Sequence, residues 1–563
     1  MSVMQISSFC SYEFLSSAPK TETHLSKSAS IYPSSIGGGK KPVNGEICLF
    51  KGQGRALRYE AFSCNPSSIL KTGRTKTRFL LKASLNVREG PKSSISPSQT
   101  SDLFLLDLAE KLEDSISKND AVGSGGIALK GLRDHSAEAI VNLKWPTSKT
   151  EAYRFTDVKF LRDFEIWPSN ASPENDVDLS SLHLGETDSL RLVFVDGVLS
   201  TTLSNLHDVP EELIIGSVLT LPDKQVDSLI ASKLLGSASG DDSDLFATLN
   251  GIGARDVGVV ILLSGLKVEK PLHVVYYSSE NRSYTGSSGS QISLSSPRLL
   301  VVVEKGAELD LVEEFVGASQ TVYWSNSVSE IFVSQGAKVT HSYVQTQERT
   351  SVHIKKTFVS QDDSSIYKLV EAGVGGRLSR HNLHIEQSGP ETTTEVSTFQ
   401  LAGTKQLQDL HSRIVLSHPH GCSRQLHKCI VMSSSGHAVF DGNVRVNRYA
   451  QNTDAGQLSR SLLLAPRATV NIKPNLQIVA DDVKCSHGAA ISDLEEEQLF
   501  YFRARGIDAQ TARSALVFSF AAEVIERISY KDLRERLQHI VKESLAAEGV
   551  VKAKAFIGLS DER

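Results

Sequence analysis

The sequence predicts a mainly β chain, a solenoid of β coils set between N-terminal and C-terminal α-helical segments. Three observations predict it. From Arg298 to about His487, short segments alternating polar and apolar residues are separated by corners containing Gly, Ser or Asp. Two corners are nearly alike, KGAELDL at Lys305 and QGAKVTH at Gln335, and a weaker echo links SGHAVFD at Ser435 with PRATVNI at Pro466, thirty-one positions on. Helical periodicity is confined to the flanks. A coil of this size cannot bury its inner face alone, whereas stacked coils share one continuous core. Val, Leu, Ile and Ala are expected inside, with Ser, Thr, Gln and His outside. A β-sandwich is the competing architecture, but it needs hairpins throughout, and few two-residue hairpin turns are visible. A solenoid also ends in unpaired strand edges, which must be capped or used for assembly.

The chain divides into five parts. Residues 1–83 read as a plastid transit peptide: Met1 to Lys82 carry twelve Lys or Arg, four Glu and no Asp, with abundant Ser and Thr. Residues 84–188 are an N-terminal helical region. Ser101–Lys118 is expected to be helical, with Leu103, Leu106, Ala109 and Leu112 on one stripe. The Gly-rich stretch Ala121–Leu132 is expected to be a loop. WPTSKTEAYRFTDV (Trp145–Val158) is expected to dock the helices onto the next part through Trp145, Tyr153 and Phe155. Residues 189–297 form an α/β linking region. It holds a hairpin signal at Asp196-Gly197, helices at Ser228–Leu235 and Asp244–Ile252, buried strands, and an exposed Ser/Gly-rich excursion at Ser283–Pro297. Residues 298–492 are the β core. Residues 493–563 are a helical domain. Asp493 or Ser492 is expected to cap its first helix, Gly506 to break it, and Asp508 to cap the next. Its last helix has a stripe of Leu533, Leu537, Ile540/Val541 and Leu545, suited either to docking a partner or to intramolecular capping.

Composition excludes several functions. A net charge of −5 lacks the basic field of a nucleic-acid binder. No run approaches twenty apolar residues, so no membrane span is expected. Six cysteines without a CxxC pair give neither a disulfide framework nor a zinc motif. There is no GxxxxGK[ST] phosphate loop, so ATP chemistry requires a partner. A β-helical carbohydrate-acting enzyme would need a carboxylate pair or Lys/Arg cluster on one face of successive coils, and none stands out.

Histidines crowd the β section: His341, His353, His381, His384, His411, His418, His420, His427 and His437. Extended backbone sends i and i+3 to opposite faces, so His381 and His384 do not form a ligand pair, and these residues read as structural. VADDVKCSHGAA (Val479–Ala490) differs. In extended backbone, Cys485 and His487 point to the same face, where one metal or sulfur could meet both. Two ligands are too few for an iron–sulfur cluster. The pair is therefore a half-site completed across an interface, or else it packs and hydrogen-bonds there. Asp481 and Asp482 read as a solvated turn.

The run RYAQNTDAGQLSRSLLLAPRATVNIKPNLQIVADDVKCSHGAAISDLEEEQLFYFRARGI resembles the SufB/SufD family of iron–sulfur cluster assembly scaffolds, as does WPTSKTEAYRFTDV. DDVKCSHGA with LFYFRARGI is similar to the SufD branch. The resemblance implies a right-handed parallel β-helix between helical segments and a non-catalytic scaffold in the plastid stroma. The implied partners are a SufB-like subunit, paired through the β-helices, and a SufC-like ABC-type ATPase that carries the ATP. Self-pairing into a homodimer is a further expectation for the isolated chain. A transient iron–sulfur cluster would be shared with the SufB-like partner, this chain alone holding no cofactor. His487 matches the family's interface histidine and Cys485 its adjacent thiol. SufB carries an essential cysteine about thirty positions upstream, but no cysteine lies between Val431 and Lys484 here, so the main sulfur-accepting thiol would be the partner's. The ATPase would be met by Phe500, Tyr501, Arg503, Arg505, Gly506, Phe518 and Phe520. A purely structural role without metal is the alternative.

Overall fold

The computed structural model describes residues 101–116, 123–169, 177, 179–184, 189–222, 244–279, 291–319 and 321–550. The expected leader, the helix expected at Ser228–Leu235 and residues 551–563 lie outside them.

Helix α1 (Leu103–Asp114) buries Leu106, Ala109 and Leu112 of the expected stripe together with Leu105 and Leu108, whereas Leu103 is exposed, and Asp102 caps the helix by accepting from the Phe104 amide. The Gly-rich stretch expected to be a loop is instead the start of helix α2 (Gly123–Ala139). The glycines serve close packing: a Cβ on Gly125 would lie 1.8 Å from the Val218 carbonyl oxygen. Helix α3 (Leu245–Gly253) is capped by Asp244.

The strands before the regular coils are β1 (Glu165–Pro168), β2 (Leu190–Val195), β3 (Val198–Asn205), β4 (Leu213–Ser217), β5 (Gly258–Leu262), β6 (Leu272–Ser278) and β7 (Gln291–Ser295). The hairpin signal is met: β2 and β3 pair antiparallel around Asp196 and Gly197, both with positive φ. The Ser/Gly excursion is corrected in its second half. Gln291–Ser295 is a strand paired in parallel with β1 and with Tyr323, Trp324 and Ser325, and Ile292 and Leu294 insert into an apolar cluster.

The coils follow as β8 (Arg298–Val303), β9 (Glu308–Gly317), β10 (Tyr323–Val333), β11 (Lys338–Gln345), β12 (Val352–Gln361), β13 (Ile366–Gly373) and β14 (Leu378–Gln387). They continue as β15 (Thr393–Ala402), β16 (Leu407–Leu416), β17 (Cys422–Val431), β18 (His437–Val446), β19 (Thr453–Leu463), β20 (Thr469–Ile478) and β21 (Val483–Ser492). Even-numbered strands from β8 stack into one sheet and odd-numbered strands from β9 into the other, every neighbouring pair parallel. This is a β-solenoid and not a sandwich. Coil length varies: Val352 pairs with Leu378, twenty-six positions on, and His437 with Thr469, thirty-two on. The second repeat is therefore one residue longer than the sequence echo, a difference that turns the whole strand over.

From β8 to β19, the corners leading from the even to the odd sheet each hold one residue with left-handed backbone: Gly306, Gly336, Ser364, Glu391, His420 and Asn452. The amide of each donates to the next corner, ending with Asn452 N–H to the Asp482 carbonyl. Gly306 and Gly336 fill this position without a Cβ penalty.

The interior departs from expectation. Ser, Thr, Gln and His do not all face out: His341, His353, His381, His427, Gln425 and Gln457 are buried. They are tolerated because partners reach across the coil. His381 bonds Glu371 and Thr357, Thr398 bonds His427, and Gln425 links Ser412 with Gln457.

Helices flank both sheets. The N-terminal helices and Trp145 cover the outside of the even sheet, where Trp145 packs edge-on against Phe104 and Phe246. Tyr153 joins them, but Phe155, expected as a third anchor, is exposed. The C-terminal helices are α4 (Glu496–Arg503), α5 (Ala509–Ile525) and α6 (Lys531–Ala547). The first starts later than expected: neither Asp493 nor Ser492 caps it, and Asp493 instead bonds the Leu494 amide and Arg513. Gly506, with positive φ, follows it, and Asp508 caps α5 as expected. The stripe Leu533, Leu537, Val541 and Leu545 is buried with Val312, Phe399, Leu401 and Ile430 from the outside of the odd sheet. The chain thus uses that stripe for its own packing.

Candidate functional site at the open end of the solenoid

The last coil ends in β20 and β21, which carry no further strand among the described residues. β21 lies in register on β19, with Cys485 beside Ala455 and His487 beside Gln457. Ala455 and Gln457 are buried inside the solenoid. Because side chains alternate along a strand, Cys485 and His487 continue this inner row over the open end. Cys485 is half-buried against the main core, and His487 is exposed. Burial raises the Cys485 thiol above its ordinary value, and the nearby Asp454 charge acts the same way. Such a thiol resists becoming a thiolate while the end is open.

Asp481 and Asp482 form the corner before β21. The Asp482 amide donates to the Gln451 side chain at 2.8 Å. Among the described residues no group of three His, Cys, Asp or Glu could hold a metal ion. An apolar rim surrounds Cys485 and His487: Ile478, Val479 and Ile491 are 46%, 55% and 49% exposed. Sequence reasoning passed over this rim. Its signal was an alternating apolar strand with no further coil to cover it.

The seven residues expected to meet a partner separate into two groups. Phe500 and Tyr501 are 71% and 53% exposed on α4, a helix with no buried residue. Arg503, Arg505 and Gly506 are exposed beside them, and the Arg505 guanidinium sits 3.4 Å from the Tyr501 ring centre. Phe518 and Phe520 are half-buried in α5 and engaged internally. Lys542 lies over the Phe518 ring and Lys428 over that of Phe520.

Residues 284–520 match the family model described as SUF system FeS cluster assembly, SufBD core domain, and residues 105–274 match the SufBD protein N-terminal region. The chain belongs to the SufBD family. It is 50% identical over 444 residues to Protein ABCI7, chloroplastic, of Arabidopsis thaliana, covering 78% of this chain and 91% of that protein. It is 35% identical over 427 residues to the iron-sulfur cluster assembly SufBD family protein slr0076 of Synechocystis, covering 74% and 92%. To the iron-sulfur cluster assembly protein SufD of Escherichia coli it is 29% identical over 396 residues, covering 70% and 87%. As a SufBD member it is a scaffold component of iron–sulfur cluster assembly rather than an enzyme.

Proposed function

We propose that this chain is the SufD-type scaffold subunit of a plastid SUF complex. Its open solenoid end pairs with a SufB-like subunit, and the nascent iron–sulfur cluster is cargo held at that junction. Cys485 and His487 supply the minor half of the site, and the partner supplies the principal thiol. The carrying observation is the inner-row alignment of Cys485 and His487 on an uncovered, apolar-rimmed strand. A half-set of ligands fits cargo that must later leave, since a full set of thiolates would retain it. His487 is the more available donor, because its side chain is exposed while the Cys485 thiol is partly desolvated.

In the same reading, exposed α4 offers Phe500, Tyr501, Arg503, Arg505 and Gly506 to a SufC-like ATPase, and Phe518 and Phe520 stiffen the helix behind them. The boundaries are those of the sequence: transit peptide 1–83, helical region 84–188, linking region 189–297, core 298–492 and ATPase-docking domain 493–563. The acid-poor leader and the chloroplastic Arabidopsis relative support the plastid stroma. The deciding experiment coexpresses this chain with SufB-like and SufC-like partners. His487→Ala should lower iron and sulfide content while the complex still copurifies. Unchanged cluster yield would sink the half-site, and failure to copurify with wild-type chain would sink the scaffold pairing itself.

A further inference from the structure

WPTSKTEAYRFTDV does more than anchor helices. Between this segment and the outside of the even sheet lies a cavity of about 540 Å³, a size that suits a small organic molecule. Trp145, Tyr153 and Lys144 line one side, and Lys356, Arg380 and Arg413 from β12, β14 and β16 line the other.

Ion pairs account for most of the cavity's charges. Lys356 faces Asp244 at 3.2 Å, Arg380 bonds Asp409, and the lining Asp441 meets Lys473 at 3.4 Å. Lys144 and Arg413 have no ion pair among the described residues, and both are exposed at the cavity. Arg413 shares a through-space attraction with Glu386, whose carboxylate already bonds His384. Behind the lining, Trp145 Nε1 and Arg380 Nε are enclosed, on residues 5% and 1% exposed. Tyr153 covers the Arg380 guanidinium at 4.1 Å, so this arginine is held in place rather than swinging to seek a partner. Two exposed cations without an ion pair, on walls that also carry Lys356 and Arg380, call for an acceptor-rich ligand.

We propose that this cavity binds a small organic polyanion, its phosphate or carboxylate groups meeting Lys144 and Arg413. The site lies on the side of the solenoid, apart from the open end and from α4. Because one wall is the N-terminal segment and the other is the solenoid, an occupant ties the two together. It binds only the folded chain and therefore raises the unfolding temperature.

The test uses the full chain with pyrophosphate and with citrate as probes, at ionic strength matched by sodium chloride. Calorimetric titration should give a dissociation constant of about 1 mM or tighter for at least one probe, with a matching rise in unfolding temperature. The double variant Lys144→Gln/Arg413→Gln alters only exposed side chains and should unfold at the wild-type temperature without ligand. Its affinity should fall on the order of tenfold or more. Tighter pyrophosphate binding would assign a phosphoryl ligand, and tighter citrate binding a polycarboxylate; either supports the site. Binding of neither probe beyond the chloride control, or equal binding by the double variant, would overturn it.

Discussion

Lys355 and Glu313 form an ion pair inside the solenoid, with the Lys355 Nζ 2.9 Å from both Glu313 carboxylate oxygens and neither side chain accessible. The pair joins the two sheets, since Lys355 is on β12 and Glu313 on β9. Tyr276 and Ser329 each donate to Glu313 at 2.8 Å, and His341 lies 3.0 Å away. Burial raises the Glu313 carboxyl, but Lys355 and His341 outweigh it and hold it well below the usual carboxylate range. Lys355→Met would leave that carboxylate buried and uncompensated. The expected loss is about 3–5 kcal/mol, read by urea unfolding at pH 7. Protonating Glu313 should recover part of the loss, so the variant's deficit shrinks as pH falls through the range where an ordinary glutamate titrates. A deficit under about 1 kcal/mol, or one independent of pH, would contradict the assigned charge.

A second interior group sets a slope with pH. His427 stacks on Phe440 at 4.2 Å and meets Thr398 at 2.8 Å. Burial alone pushes its imidazole down to about 3. The unfolded chain takes up this proton near pH 6.5, whereas the folded chain does not until near pH 3. The unfolded state thus binds more protons between those values, and stability falls as pH drops. His427→Gln should make the decline from pH 6.5 to 4.5 shallower by about 1.4 kcal/mol per pH unit. Unfolding free energies at four pH values would measure it, and parallel slopes for variant and wild type would refute it.

The two faces of the C-terminal helices should respond differently. Leu537 is 1% exposed in the cluster that seats α6 on the odd sheet. Leu537→Ala should cost about 2–5 kcal/mol and speed proteolysis within residues 493–550. Phe500 is 71% exposed on α4. Phe500→Ala should change stability by no more than about 0.5 kcal/mol while weakening copurification of the ATPase. If Phe500→Ala leaves the ATPase bound at wild-type yield, α4 is not its docking surface.

Legibility along the sequence followed the chemistry of each position. Alternation revealed the strands, and the corners at Gly306 and Gly336 revealed the repeat because glycine marks left-handed backbone. The same backbone position is filled by Ser364, Glu391, His420 and Asn452 in later corners, so the repeat fades in sequence while persisting in structure. Gly125 misled for a related reason: glycine signals a loop locally, but here it lets α2 approach Val218. The buried histidines and glutamines could not be assigned inward from residue type, because their partners lie one coil away or on the opposite sheet. Cys485 and His487 were readable as one face of a strand. That the face is the solenoid's inner row depended on their register with Ala455 and Gln457, which no local pattern encodes.

The open end makes a prediction for the isolated chain. β20 and β21 are edge strands, and Ile478, Val479 and Ile491 put apolar surface beside their unpaired backbone groups. Natural edges of this kind are blunted by charge or occupied by another chain, and this rim carries no charge on those three residues. Without the proposed SufB-like partner, the chain should self-associate through this end at concentrations on the order of 10–100 μM, as a two-fold pair whose identical edges cover each other. Ile491→Lys places a charge on the last inner-row position before the helical segment. Ile491 is already half in solvent, so the folded monomer should lose no more than about 0.5 kcal/mol. Analytical ultracentrifugation should then show wild-type dimer and variant monomer at equal loading, and the variant should also fail to pair with the SufB-like subunit. A variant that still dimerises, or a wild type that stays monomeric throughout that range, would place the self-association surface elsewhere on the chain.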